Sequence, residues 1–198
     1  MSGAGRYAEL AAAVRTFKAE LTQPSQLDRL LETGSLAETV SAVTHGHITS
    51  TEGSDLSEVE GYLIHSMIEI AERLASYAPQ DSRPLISLFA RSFEFSCVKA
   101  ILNAIAAKVN AEEAMRDIVP AGKFTADRCK DLIEAHNPSR VIESIDDEAF
   151  RRFIAPKLTG EAATLQTISA IDQYFFTKLW AASNLHVSRR FSMRAPRG

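Results

Sequence analysis

Apolar residues recur along this chain at spacings of three and four positions, which is the period of an amphipathic α-helix. Near the start, Leu10, Val14, Phe17 and Leu21 form such a stripe. No stretch alternates cleanly between apolar and polar residues over six positions, as a half-buried strand would. The pattern therefore predicts an all-α fold.

Capping residues and prolines divide this pattern into separate helices. They are expected at residues 6–21, 26–33, 36–43, 54–77, 82–108, 111–118, 138–145, 147–155 and 161–184, with one more beginning after Thr125. The predicted caps are Gly34, Ser35, Ser54 and Thr125. The helix at 82–108 is apolar nearly all round, so we expect it to be central and buried. Within this helix, we expect Phe93→Ala to lower the free energy of unfolding by about 3–5 kcal/mol.

Two other long helices show apolar stripes that we expect to face the core. The stripe of the helix at 54–77 consists of Val59, Leu63, Met67, Ile70, Leu74 and Tyr77. The main stripe of the last helix consists of Leu165, Ile168, Phe175 and Leu179, broadened by Tyr174, Phe176 and Trp180.

The chain repeats one pattern of apolar positions. Residues 26–43 read QLDRLLETGSLAETVSAV, and residues 128–145 read RCKDLIEAHNPSRVIESI. Without a gap, Leu30 aligns with Leu132 and Val40 with Ile142. Long helices follow each copy in the same order, which favours an internal repeat over coincidence.

The repeat predicts one complete and one partial unit of short and long helices. We place the first unit at 1–118, the second at 119–185, and a basic tail at 186–198. The second unit lacks a last long helix, so we expect it to expose apolar surface. A partner or a second copy of the chain would cover that surface.

The chain is weakly acidic overall, and its charge is unevenly distributed. The 198 residues carry a net charge of −3, which gives no general attraction to nucleic acid. From His186 onward there is no acidic residue, and the arginines include Arg189 and Arg190. This tail is either a solvated terminus or an arm that touches an acidic partner or lipid headgroups.

The two cysteines, Cys97 and Cys129, form neither a disulfide framework nor a zinc spacing. We expect both to behave as small buried hydrophobes. No signal peptide is evident, and no apolar run approaches the roughly 18 residues of a membrane span. We therefore expect a cytoplasmic protein that could bind a membrane complex from outside.

No set of residues predicts catalysis, a cofactor or a metal. His45 and His47 lack a third ligand, and His65 with Glu69 fits a surface pair on a helix. The acidic run at 146–148 is expected to stabilise the start of a helix.

One polar set interrupts the central apolar helix, namely Arg91, Glu94 and Lys99. Charges on a buried helix must be paired or must emerge at an edge. Three alternatives therefore stay open for these residues: one solvent-exposed stripe along the helix, an internal ion pair, or a polar contact to a partner.

At this helix the chain resembles the C subunit of archaeal and bacterial A/V-type ATP synthases, the counterpart of the d subunit of vacuolar ATPases. The motif positions that carry the resemblance are Arg91, Glu94, Cys97, Val98, Lys99, Ile101 and Leu102. The segments GRYAELAAAVRTFKAEL, LLETGSLAETV, IVPAGKFTADRCKDLIEA and AIDQYFFTKLW also resemble parts of that family. The chain departs from the pattern in having Glu94 and Cys97 where the family has Asp and Asn. It also has fewer than the family's three helical units, as a shortened or divergent member would.

The resemblance implies a non-catalytic central-stalk subunit without cofactors. Such a protein is a socket between the stalk and the membrane proteolipid ring, peripheral on the cytoplasmic face, and it transmits torque for proton or sodium transport. Candidate partner contacts are then Arg91, Glu94, Lys99, Arg189 and Arg190, and the isolated chain could form a homo-oligomer. Two alternatives stay open: a soluble helical-repeat adaptor unrelated to ATPases, and a small enzyme with an unrecognised helical site.

Overall fold

The regular elements of the protein are helical wherever the structure describes it. A computed structural model describes residues 5–21, 23–33, 35–48, 56–158 and 163–192. Within these ranges there is no β-strand, only an isolated antiparallel bridge between Ala121 and Phe124. The predicted all-α fold class is confirmed.

Ten α-helices are seen in the described ranges. In chain order they are α1 Ala8–Glu20, α2 Pro24–Thr33, α3 Leu36–Val43, α4 Leu56–Tyr77, α5 Arg83–Ala107, α6 Ala111–Ala114, α7 Ala126–Glu134, α8 Pro138–Glu143, α9 Glu148–Ile154 and α10 Ala163–Ser192. Two 3₁₀ turns, Gly5–Tyr7 and Ala155–Lys157, precede α1 and follow α9. The last helix continues past Asn184, so its predicted end there is wrong.

Side-chain caps begin several of these helices as the sequence predicts. The Ser35 hydroxyl accepts the Glu38 N–H at 3.3 Å, and the Thr125 hydroxyl accepts the Arg128 N–H at 3.4 Å. Each bond satisfies a backbone donor that has no partner within its helix. The predicted caps Gly34 and Ser54 lie outside the described residues.

Helix α5 is the central element, as its apolar composition predicts. It packs along α4 on one side and along α10 on another, and it also contacts α6, α7 and α8. The main core contains residues from all of these helices except α4: Phe95, Cys97, Val98, Ile101, Leu102, Ala104, Ala111, Ala114, Ile118, Phe124, Cys129, Leu132, Ile133, Val141, Ile142, Ile145, Phe150, Ile154, Ala170, Ile171 and Tyr174. The two predicted units therefore share one core through α5, and the division at residue 118 stays a prediction.

The buried face of α4 differs from the predicted stripe. Met67 and Tyr77 are exposed, whereas Ile68, Ala71 and Ala75 are buried. Ile68 and Ala71 cluster with Ala90 of α5, so this side of α4 is the one that faces α5.

The core-facing side of α10 also differs from the prediction. Ala170, Ile171 and Tyr174 are buried, but Leu165 is 74% exposed. The helix carries apolar residues on more than one side, and the sequence pattern does not tell which side meets α5. Leu165, Phe176 and Trp180 are exposed on this helix. That this surface results from a helix missing from a second unit stays a prediction.

Phe93 is not at the centre of the core. It is half-buried and packs edge-to-face on the exposed Phe89 ring, with 5.5 Å between ring centroids. Phe95, two residues further, is buried and lies 5.2 Å from the Phe150 ring. Two residues span about 200° around a helix, so the two phenylalanines face different sides of α5.

The two copies of the repeated pattern form matching pairs of short helices. The pair α2 and α3 corresponds in register to α7 and α8. Their burial differs: α7 and α8 supply Leu132, Ile133, Val141 and Ile142 to the core, whereas Val40 is the buried residue of α3. Internal duplication stays a hypothesis.

Both cysteines are buried free thiols, as expected of small hydrophobes. The Cys97 sulfur lies 3.5 Å from the Cys129 sulfur and links α5 to α7. The hydrogen bond with Cys129 and burial together raise the pKa of Cys97, which favours the neutral thiol.

Candidate functional site

Arg91, on the outer part of α5, pairs with an acidic residue that follows α8. Its guanidinium Nη1 lies 3.2 Å from Asp147 Oδ2. The guanidinium also lies 5.4 Å from the centre of the Phe95 ring, within range of a cation–π contact. The charge of Arg91 is therefore satisfied inside the protein.

Asp147 joins three helices through its two carboxylate oxygens. It is the N-cap of α9, where Oδ1 accepts the Phe150 N–H at 3.0 Å. The Tyr174 hydroxyl, from α10, lies 3.0 Å from each carboxylate oxygen and donates to the carboxylate. With Arg91 from α5, these contacts form a clasp of Arg91, Asp147 and Tyr174, called the clasp below.

The clasp shifts the acidity of both of its ionisable acids. Burial opposes ionisation of Asp147, but the Phe150 N–H, the Tyr174 hydroxyl and the Arg91 charge outweigh burial and hold its pKa below the usual range. Burial, followed by the hydrogen bond to Asp147 and the charge of Asp147, raises the pKa of Tyr174 to about 12. Both shifts favour a charged Asp147 and a neutral Tyr174 near neutral pH.

Glu94 holds the loop between α6 and α7. Its Oε1 accepts the Lys123 backbone N–H at 3.1 Å. Gly122 has φ +56°, and a Cβ at this position would overlap the same Glu94 oxygen. The positive φ favours glycine here, and any larger residue would also displace the Glu94 carboxylate from its hydrogen bond to the loop.

Lys123 extends this polar group to the surface, where its Nζ lies 3.0 Å from Asp146 Oδ2. The Lys123 hydrogen bond and charge hold the pKa of Asp146 below its usual range. Arg91 and Glu94 line two hollows beside this group, of about 240 Å³ and about 310 Å³. A partner side chain that entered either hollow would contact Arg91 and Glu94. In the hollow of about 240 Å³ it would also contact the apolar residues of α4.

Lys99 belongs to a separate pair. Its Nζ lies 2.7 Å from Asp172 Oδ1 and links α5 to α10. Lys99 follows Arg91 by eight residues, or roughly 12 Å along the helix axis. The three predicted polar residues thus share α5 but do not form one cluster.

Arg91 and Lys99 each form an ion pair within the protein, but both pairs are partly exposed, with 34% of the Arg91 side chain and 46% of the Asp172 side chain open to solvent. These pairs combine two of the predicted alternatives, a solvent-exposed stripe and an ion pair. A role of Arg91, Glu94 or Lys99 in partner contact stays a prediction. The backbone of Arg189 and Arg190 lies in α10, but their side chains lie outside the described part of the chain. The expected contact of these two arginines with a partner also stays a prediction.

The residues that pair with α5 are not evident from the sequence. The sequence predicts for Asp147 only that it stabilises a helix start, which it does, and it does not single out Tyr174 or Asp172 as partners of α5. The one available signal is general: the charges of α5 need partners. The predicted surface pair is also found, with His65 Nε2 3.4 Å from Glu69 Oε1.

Neither a metal cluster nor a membrane-spanning helix is found in the described ranges. Among these residues, no three His, Cys, Asp or Glu side chains are placed so that they could hold a metal ion. None of the helices in the same ranges combines the length and the apolarity needed to cross a membrane.

Comparison with known proteins identifies the family. The sequence model of the ATP synthase (C/AC39) subunit matches residues 10–194, which include α5, the clasp and α10. The chain belongs to this family. The resemblance seen at the motif of α5 is thereby confirmed, although no solved structure matches the chain significantly.

Three archaeal members of the ATP synthase (C/AC39) family show how far the similarity extends. The C subunit of the A-type ATP synthase of Methanosphaera stadtmanae is 30% identical over 176 residues, covering 87% of this chain and 45% of the relative. The same protein of Methanocaldococcus jannaschii is 23% identical over 182 residues, covering 87% and 46%. That of Methanobrevibacter smithii is 24% identical over 189 residues, covering 90% and 47%. The chain thus spans about half the length of these relatives.

Proposed function

We propose that this chain is a non-catalytic central-stalk subunit of a rotary A/V-type ATPase or ATP synthase. It acts as a socket that links the central stalk to the membrane proteolipid ring and transmits torque for proton or sodium transport. The observation that carries the proposal is the family match over residues 10–194. The relatives are named as C subunits of A-type ATP synthases.

The internal bracing of the protein suits the transmission of torque. A protein that passes torque between neighbours must resist shear between its helices. The clasp ties α5 to α9 and α10, and the pair of Lys99 and Asp172 ties α5 to α10 at a second point. The clasp and the Lys99–Asp172 pair, added to a close-packed helical core, favour a rigid protein.

In this proposal the protein lies on the cytoplasmic face of the membrane as a peripheral subunit. Its partners are the central-stalk subunits on one side and the proteolipid ring on the other. The hollows beside Arg91 and Glu94 are the proposed contact for a stalk side chain, since they combine charge with apolar surface.

Capture of both partners by one protein tests the proposal. The tagged chain is incubated with purified central-stalk subunits, with detergent-solubilised proteolipid ring, and with both together. We expect the chain to retain each partner and to bridge them when both are present. Glu72→Lys, which reverses a charge lining the hollow between α4 and α5, should weaken stalk capture, whereas Lys130→Glu on exposed α7 should not.

Failure to retain either partner contradicts the proposal. Retention of unrelated proteins by a chain that ignores both the stalk and the ring would favour the helical-repeat adaptor instead.

A further inference from the structure

The outer side of α10 carries large exposed aromatic residues. Phe176 is 62% exposed and Trp180 is 72% exposed. At 3.6 residues per turn they lie one turn apart, on the side of the helix opposite the buried Tyr174. Exposed aromatic surface of this kind marks a site of contact with a protein or a membrane.

The second half of α10 lies at the edge of the core, where Phe175 packs against it. The buried residues of the helix end at Tyr174, and none of the described side chains from 175 to 184 is buried. The helix backbone nevertheless continues to Ser192. This half therefore presents a long helical surface beyond the core.

Charge changes sign at the middle of the same helix. All 25 acidic residues of the chain lie at or before Asp172. Five basic residues follow Asp172 with no acidic residue among them: Lys178, Arg189, Arg190, Arg194 and Arg197. An anionic surface would attract the sequence that follows Asp172, which includes the second half of α10, and would repel the acidic sequence before it, and so would orient the protein.

Aromatic residues on one side and basic residues elsewhere characterise a helix that lies flat in an anionic membrane surface. The Lys178 amine lies 5.1 Å from the Tyr174 ring, so this cation projects away from Phe176 and Trp180. Tryptophan is also enriched at the level of the lipid headgroups. We propose that the second half of α10 binds an anionic lipid bilayer, with Phe176 and Trp180 among the headgroups.

A second copy of this chain is a poorer occupant of the same surface. Two copies paired through this face would bring two basic helices together, and like charges at an interface oppose association. An acidic groove on another protein offers the same charge as the lipid, so the experiment below includes a soluble acidic polymer.

The inference rests on the proposed function for its setting beside a membrane, but the two can fail separately. Lipid vesicles contain no protein, whereas the capture experiment uses a ring in detergent. Loss of vesicle binding with retained capture would overturn only the lipid contact, and the reverse result would overturn only the socket.

Trp180 is the chain's single tryptophan and reports directly on its own surroundings. The full chain is titrated with vesicles of phosphatidylcholine alone and of phosphatidylcholine with phosphatidylglycerol. With the anionic vesicles we expect a blue shift of the tryptophan emission and sedimentation of the protein with the lipid. Both effects should disappear at about 0.5 M NaCl, where screening acts within well under 10 Å.

Two variants and a matched control separate the contributions. Arg189→Glu with Arg190→Glu should weaken binding by about tenfold or more, since each basic residue near an anionic surface adds to the attraction. Phe176→Ser should reduce the blue shift while leaving the charge unchanged. The control is Arg116→Glu with Lys130→Glu, two exposed basic residues of the body, which should bind like the unaltered chain. Circular dichroism of each variant checks that the helices are retained.

The result that overturns the inference takes one of three forms. The emission stays unchanged with both kinds of vesicle, or it shifts equally with zwitterionic and anionic vesicles, or it shifts with polyglutamate but not with vesicles. The last of these would assign the surface to an acidic protein.

Discussion

The carboxylate of Asp147 lies 3.2 Å from the guanidinium of Arg91, although 56 positions separate the two residues in the chain. Through this contact the start of α9 is fixed to the side of α5. Tyr174 closes the arrangement from α10. The clasp therefore fixes how three helices sit on one another.

Asp147→Ala should destabilise the protein by about 2–4 kcal/mol. The substitution removes an N-cap, worth about 1 kcal/mol, and hydrogen bonds to a charged group, worth about 1.5–3 kcal/mol. Urea unfolding at neutral pH, followed by circular dichroism, measures the free energy of unfolding.

The neighbouring acid provides the control for this prediction. Asp146 pairs with Lys123 on the surface, and such pairs contribute little. Asp146→Ala should leave the urea midpoint nearly unchanged. Equal effects of the two substitutions would mean that the clasp does not stabilise the fold.

The clasp also predicts how stability depends on pH. The pKa of Asp147 is lowered in the folded protein, so its contribution is present above the unfolded value of about 4 and is lost as the pH falls through the folded value. The pKa of Tyr174 is raised to about 12. Its contribution is present below about pH 10, the unfolded value, and is lost between about pH 10 and 12.

The urea midpoint measured against pH, for the unaltered chain and for Tyr174→Phe, checks the alkaline half of this prediction. The difference between the two proteins should shrink above about pH 10. Parallel profiles up to about pH 12 would show that Tyr174 does not retain its proton through the clasp.

Gly122→Ala should destabilise the protein by about 1–3 kcal/mol, because the new Cβ meets the Glu94 carboxylate and because φ is positive. In a Glu94→Ala background the contact is gone, and the cost should fall to about 1 kcal/mol of backbone strain. Urea unfolding of the two single variants and the double variant gives the coupling.

Gly46 supplies the matched control, since it has φ +79° and a Cβ there would meet nothing within 4 Å. Gly46→Ala should cost the backbone strain alone. If Gly122→Ala proves no more destabilising than Gly46→Ala, the Glu94 carboxylate does not pack against the loop at Gly122 as described.

Two phenylalanines of α5 test the position of the core. Phe95→Ala should lower the free energy of unfolding by about 3–5 kcal/mol, because the Phe95 ring is buried among other aromatic rings. Phe93→Ala removes a half-buried ring and should cost about 1–2 kcal/mol. The same unfolding measurement compares them, and a larger cost at Phe93 would contradict the described orientation of α5.

The parts of this structure that follow from local chemistry could be predicted from the sequence. Helix period, the proline positions and the caps at Ser35 and Thr125 depend on residues within one or two turns of each other. The central place of α5 also follows from its own composition, because a helix that is apolar nearly all round must be covered on several sides.

The remainder depends on contacts between distant segments. Ile171 rather than Leu165 faces the core because α5 lies on that side of α10, and both sides of the helix are apolar in sequence. The partners of Arg91 and Lys99 are likewise unpredictable individually, since many acids are available. The requirement for partners is evident, but their identity is a property of the folded chain.

We propose that this chain couples ATP turnover to ion movement without catalysing either. Ion transport and ATP hydrolysis are measured together in membrane vesicles that carry the rotary complex, with the chain present, absent, or restored. We predict that vesicles lacking the chain still hydrolyse ATP but transport no ions, and that adding it back restores transport. Undiminished transport per ATP in its absence would contradict the account.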